Sequence, residues 1–222
     1  MTPDKWNAVD DYIGHWLLPA DPILESVLQA NHAAGLDPIN VAPNQGKFLF
    51  LLAKIRGAKR ILEIGTLGGY SALWLARALP PGGRLITLEI NPKNAETARA
   101  NLTRAGLDKV VEIRLGPASE SLTKLVSEKD SFFDLIFIDA DKPGYPEYFS
   151  RALQLSHVGT VIILDNMVRK GDVVYAADGD PRVVGARAVY ELLSKEPRVS
   201  ATAIQTVGAK GHDGFVMALV IA

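Results

Sequence analysis

An apolar strand, a glycine-rich turn and a helix follow one another in Ile61-Leu62-Glu63-Ile64-Gly65-Thr66-Leu67-Gly68-Gly69-Tyr70-Ser71. Arg60 to Ile64 reads as the strand, Gly65 to Gly69 as the turn, and Tyr70 to Leu79 as the helix. That succession is the first half of a nucleotide-binding βαβ unit. Glycine lets backbone approach a ligand closely, because no Cβ stands in the way. The opening turn of the helix presents unpaired N–H groups and a positive dipole end, which favour an anion. The dinucleotide fingerprint asks for glycine two places after Gly65, where Leu67 stands. A nicotinamide or flavin dinucleotide is therefore disfavoured.

From residue 60 onward strands and helices alternate, which implies a parallel sheet with helices on both faces. The further strands are Arg84 to Ile90, Val110 to Leu115, Phe133 to Asp139 and Thr160 to Leu164. Helices are expected from Asn91-Pro92 to about Gly106, from Gly116 to about Glu128, over Tyr145 to Leu155, and over Val183 to Ser194 after a turn at Asp178-Gly179-Asp180-Pro181. Val199 to Val207 and Phe215 to Ile221 read as an antiparallel hairpin around a glycine-rich loop from Gly208 to Gly214, which brings the strands to seven.

Residues 1–55 look helical. Trp6, Val9, Tyr12, Ile13, Trp16 and Leu17 recur at steps of three and four, which is one helix face. A second helix starts near Ile23, and a third runs from Lys47 to Ile55. These helices either cover one edge of the sheet, or form a lid over the cofactor or a subunit contact. The aromatic residues Trp6, Tyr12 and Trp16 suit an interface, so a homodimer is expected. The chain is read as one domain over residues 1–222, with 1–55 as the lid or interface segment and 56–222 as the α/β core.

Chemistry-bearing residues cluster at strand ends. Glu89 closes the second strand about 20 residues past Gly69, where a carboxylate accepts from both ribose hydroxyls of a bound nucleoside. Phe137-Ile138-Asp139-Ala140-Asp141-Lys142 ends a central strand, and Leu164-Asp165-Asn166 ends the next. Ligands bind outside the carboxyl ends of such strands. Neighbouring parallel strands end side by side, so Asp139, Asp165 and Asn166 can converge on one point. Two carboxylates and an amide oxygen suit a hard cation, Mg²⁺ first, with Ca²⁺ or Mn²⁺ as alternatives. Two aspartates at unrelated turns are the competing reading.

Composition closes other routes. The 222 residues carry a formal net charge of -1, with no basic surplus to attract nucleic acid. There is no cysteine, which excludes disulfides, thiol nucleophiles and zinc–thiolate sites. No apolar run approaches the roughly 20 residues a membrane span needs. A cytoplasmic enzyme or binding protein is the expectation. The four histidines, His15, His32, His157 and His212, show no metal spacing and read as surface or loop residues.

Taken together, these segments resemble a known family. The glycine turn resembles motif I of the class I S-adenosylmethionine (SAM)-dependent methyltransferases. Glu63 to Ser71 more narrowly resembles the Glu-x-Gly-x-x-x-Gly-Tyr-Ser of the cation-dependent catechol and caffeoyl-CoA O-methyltransferases. Asp139-Ala140-Asp141-Lys142 and Asp165-Asn166 are similar to that family's Asp-x-x-Lys and Asp-Asn metal motifs. The resemblance implies a Rossmann-like class I methyltransferase fold, metal ligands at Asp139, Asp165 and Asn166, and a catalytic Lys142 beside Asp139. It also implies cofactor contacts at Val41, Glu63, Gly65, Thr66, Ser71, Glu89, Ala118 and Asp139.

One departure stands out. Where plant caffeoyl-CoA enzymes carry a tryptophan and an asparagine shortly after Asp-Asn, this chain has Arg169 and Lys170. It looks more like the bacterial members that accept catechol-type phenolics. The expected activity is metal-dependent methylation of one hydroxyl of a vicinal diphenol. Two rival classes are a subunit that binds SAM without turnover and a nucleotide-dependent dehydrogenase.

Overall fold

The computed structural model describes residues 2–128, 132–175 and 179–222. Of the expected turn at 178–181, Asp178 lies outside the described residues. Three helices come first, α1 (Pro3–Leu17), α2 (Pro22–Ala33) and α3 (Pro43–Arg56). Each opens on proline, whose missing N–H would have been unpaired there in any case. Alternation then follows: β1 (Arg60–Ile64), α4 (Tyr70–Ala78), β2 (Arg84–Glu89), α5 (Pro92–Arg104), β3 (Val111–Leu115), α6 (Ala118–Glu128), β4 (Phe133–Ile138), α7 (Tyr145–Gln154) and β5 (Ser156–Leu164). A 3-10 segment (Arg169–Val174), α8 (Pro181–Lys195), β6 (Val199–Gly208) and β7 (Gly211–Val220) complete the chain.

The strands form one seven-stranded sheet in the order β3-β2-β1-β4-β5-β7-β6. β1 to β5 are parallel, and β7 runs antiparallel to both its neighbours. This is the expected mostly parallel sheet with a C-terminal hairpin. Two strand boundaries differ by four residues. β5 begins at Ser156 rather than Thr160, because its edge pairs with Phe133 across an irregularity that the apolar pattern does not mark. The hairpin loop shrinks to Ala209-Lys210, since His212, Asp213 and Gly214 pair with Val207, Thr206 and Gln205. Main-chain pairing needs no apolar side chains, so the polar start of β7 hid it.

Side chains alternate across the sheet. Leu62, Ile64, Ile136 and Ile138 face α6, α7 and α8. Ile61, Leu135, Phe137 and Ile163 face α2 to α5. α3 therefore lies on a sheet face rather than at an edge, with Leu49 and Ala53 buried beside α4. α2 is tied in as well. Asn101 Nδ2 of α5 donates to Asn31 Oδ1 of α2 and to the Gly68 carbonyl, both at 2.9 Å. A Cβ on Gly68 would collide with the Asn31 amide. Of the N-terminal segment, α1 alone stands outside the core and buries no residue. Asp10 fastens it, accepting from Asn44 Nδ2 at 3.0 Å and from the Ala209 N–H at 2.7 Å. Tyr12, Trp16 and Leu17 stay exposed, whereas Trp6 is half-buried.

His157 and His212 lie in β5 and β7, both partly exposed, and His212 belongs to the paired hairpin rather than to its loop. Among the described residues no helix is long and apolar enough to cross a membrane.

Candidate active site

Strand register levels the site. Ile64 pairs with Leu88 and Ile138, and Ile138 pairs with Leu164. The next residue on each strand is therefore Glu89, Gly65, Asp139 or Asp165, four neighbours in one row at the carboxyl end of the sheet. Backbone bonds hold the row: Gly65 N to Leu88 O at 3.0 Å, Asp139 N to Ile64 O at 2.8 Å, and Asp165 N to Ile138 O at 3.0 Å. Gly65 sits at φ +100° against the Asp139 carbonyl, and a Cβ there would run into that oxygen. Only glycine lets β1 turn away so close to β4.

A cavity of about 580 Å³ opens above this row. Val41, Gly65, Thr66, Ser71, Glu89, Ala118, Asp139, Lys142 and Asn166 line it, as does Arg169. Glu63 and Asp165 do not; both are buried behind its wall. Volume and mixed lining suit a small-molecule site.

At the glycine turn, Glu89 Oε2 accepts from the Leu67 N–H at 2.8 Å, and Oε1 accepts from the Asn91 N–H at 2.8 Å. Leu67 stands at φ +49°, a left-handed conformation that a leucine adopts at a cost of about 1–2 kcal/mol. The bond to Glu89 stabilises it there. The carboxylate is thereby fixed while its oxygens keep lone pairs for a sugar. Below, Thr66 and Thr87 hydroxyls lie 2.6 Å apart, and Thr87 donates to Glu63 Oε2 at 2.6 Å. Glu63 Oε1 has no hydrogen-bond partner. Complete burial pushes the Glu63 carboxyl up to about 8, offset in part by the nearby Ser71 and Thr87 hydroxyls and reinforced by Asp139 and Glu89. An orphaned buried acid beside a cleft is what a cationic ligand group would satisfy.

The second half gathers around Lys142, which is only 6% exposed. Its Nζ donates to Asp139 Oδ1 at 3.1 Å, to the Ala140 carbonyl at 3.1 Å and to Tyr145 Oη at 2.6 Å. Tyr145 in turn reaches the Ile138 and Asp165 carbonyls at 2.9 and 3.2 Å. Burial, with Asp139 and Asp165 close by, holds the Tyr145 phenol well above its usual range, so it stays protonated. Asp165 Oδ2 accepts from Gln45 Nε2 of α3 at 2.6 Å, and its Oδ1 accepts from the Asn166 N–H at 2.8 Å. Asn166 stands at φ +54°, a conformation asparagine tolerates better than most. Burial and then the Asp139 charge push the Asp165 carboxyl up to about 7, with Lys142 opposing.

Two crowded carboxylates and a neighbouring amide make a donor set that a hard cation would relieve. Among the described residues no group of three or more histidine, cysteine and acidic side chains is poised for a metal, so a cation here would take its third donor from the Asn166 amide. Sequence reasoning passed over Gln45, Tyr145 and the Asn31–Asn101 pair. Only Gln45 had a signal, its place beside Val41.

Known proteins resemble this chain over nearly its whole length. The O-methyltransferase family model matches residues 19–219. A catechol O-methyltransferase of Niastella koreensis is 49% identical over 220 residues, covering 99% of this chain and 100% of the relative. The crystal structure of an O-methyltransferase from Bacillus cereus in complex with SAH is 57% identical, with a TM-score of 0.97 over 99% of this chain and 100% of that one. TomG from Streptomyces achromogenes, an O-methyltransferase involved in tomaymycin synthesis and crystallised with SAM, is 46% identical, with a TM-score of 0.96 over 100% of both chains.

Proposed function

The chain belongs to the O-methyltransferase family, and from that premise we propose that it methylates one hydroxyl of a vicinal diphenol, using SAM and a divalent cation held by Asp139, Asp165 and Asn166. The observation that carries this reading is the row Glu89–Gly65–Asp139–Asp165, which sets a nucleoside-type turn beside a carboxylate pair. Relatives named for catechol and crystallised with SAH or SAM support it. The dehydrogenase alternative lapses with the family, and the intact Lys142 and Asp165 argue against a non-catalytic subunit.

SAM supplies a methyl group on a sulfonium, open to in-line attack by an oxygen held about 3 Å away. The cation supplies Lewis acidity, which lowers the pKa of a phenol, near 10 in its free state. The chain's own residues do the rest. Glu89, fixed by the Leu67 and Asn91 N–H groups, would accept from the ribose, and the Gly65–Gly69 turn would let backbone approach the cofactor closely. Val41, Thr66, Ser71 and Ala118 also line the cavity. Glu63, buried behind the cavity wall with one oxygen unpaired, would add negative charge beneath the cofactor's cationic end. Lys142 Nζ takes the phenolic proton or orients the hydroxyl, held in place by Asp139 and Tyr145.

Calorimetry tests the cofactor. SAM and SAH are expected to bind without added metal, NAD is expected not to bind, and Glu89→Ala should weaken SAM about tenfold or more. Tight NAD binding would overturn the reading.

The same reading includes a homodimer. Val9, Tyr12, Trp16 and Leu17 are exposed along α1, which packs on β6, where Ile204 and Val207 are exposed as well. A second copy of this chain is the expected cover. Sedimentation should give about twice the 24.0 kDa chain mass, and a clean monomer at micromolar concentration would refute the dimer.

A further inference from the structure

The cavity is not uniformly acidic. It is lined also by Arg169, from the segment after β5, and by Arg182, from the start of α8. The two differ in how they are held. Arg182 is largely exposed and forks onto Asp180 at 2.9 Å. Arg169 is one-fifth exposed, and its Nε is buried with no hydrogen-bond partner. Asp213 Oδ2 lies 3.8 Å from one of its terminal nitrogens, too far for a hydrogen bond.

Considerable structure is spent on placing this side chain. Arg169 and Lys170 both stand at positive φ, +54° and +59°. Left-handed backbone at two successive non-glycine residues persists only where the surroundings impose it. Here Asp213 Oδ1 accepts from the N–H groups of Val168 at 3.1 Å and Arg169 at 2.9 Å. From α8, Arg187 binds the Val173 carbonyl at 2.8 Å and the Tyr175 carbonyl at 3.1 Å, pinning the far end of the segment. A guanidinium whose backbone is held in place and whose exposed part lines the pocket wall is arranged to receive a planar anion.

We infer that Arg169 is a specificity-determining residue that binds a carboxylate on the acceptor, so that the preferred substrates are vicinal diphenols bearing an anionic side group. This rests on the catechol reading above and narrows it. Asp139 and Asp141, also on the cavity wall, would repel that group from the lysine side, which leaves Arg169 as its seat. Arg182 adds favourable charge at the rim.

The test pairs 3,4-dihydroxybenzoate with its methyl ester, which keeps both hydroxyls, removes the charge and adds one methyl group. With the wild-type enzyme, SAM and Mg²⁺, the acid should show a KM roughly ten- to a hundredfold lower than the ester, with similar kcat. Calorimetric titration of each compound into the protein–SAH–Mg²⁺ complex should give the same ratio. Arg169→Met should erase the ratio by weakening the acid alone, with SAH affinity unchanged, and Arg169→Lys should keep part of it. Equal binding of acid and ester by the wild-type protein, or a ratio that survives Arg169→Met, would overturn the inference. Turnover of neither compound would count against the catechol reading instead, while the binding ratio still decides the role of Arg169.

Discussion

Replacing Lys142 by methionine should lower kcat by roughly a hundred- to ten-thousandfold, the usual worth of a positioned proton-transfer group. SAM affinity should stay unchanged, since the side chain points at Asp139, Ala140 and Tyr145 rather than at the glycine turn. Methionine matches the length of the stem and leaves no charge in a pocket where lysine is only 6% exposed. Arginine separates the two roles open to Lys142. An orienting role tolerates Lys142→Arg in part, because the charge and a donor remain. A proton-accepting role does not, because a guanidinium holds its proton throughout the working range. Near-normal kcat in Lys142→Met would remove this residue from the chemistry.

Asp165→Ala should behave like enzyme treated with EDTA, with methyl transfer abolished and SAM binding nearly intact. The proposed donor set is two carboxylates and one amide, and among the described residues no group of three or more histidine, cysteine and acidic side chains is poised to replace a lost ligand. After chelation, excess Mg²⁺ should restore the wild type and leave the variant inactive. Stability is a separate readout. The substitution strands the Gln45 amide and the Asn166 N–H, but it also removes a buried carboxyl that its surroundings push up to about 7. These effects oppose one another, so the folded structure should survive, and circular dichroism checks it. Full activity in Asp165→Ala would mean that this carboxylate holds no catalytic metal.

The parts of the molecule visible in the sequence are those set by local pattern. Gly65 announces itself because a turn that passes the Asp139 carbonyl so closely admits no side chain. The row of Glu89, Asp139 and Asp165 was legible because parallel strands end level, so residues just past an apolar run become neighbours. What escaped depends on long-range contact. Gln45 reaches Asp165 across 120 positions, and Asn101 reaches Asn31 across 70. Neither link leaves a periodic trace. α3 resembled a covering element, yet it shares a sheet face with α4, since the fate of an apolar helix depends on which surface it meets. The extended pairing of His212 to Gly214 was hidden because glycine and polar residues read as loop. The left-handed backbone at Arg169 and Lys170 has no signature in residue type at all.

The central claim is that Asp139, Asp165 and Asn166 hold a cation that places the acceptor. An acceptor with two adjacent hydroxyls offers that site two oxygens, and its monohydroxy analogue offers one. A misplaced nucleophile can cost about a hundredfold in rate. The most direct measurement is therefore the rate of methyl transfer to a vicinal diphenol and to its monophenol, each with and without EDTA. The diphenol should react at least about a hundredfold faster, and EDTA should abolish its reaction until Mg²⁺ is added back. Equal rates on the two acceptors, or full activity after chelation, would contradict the claim.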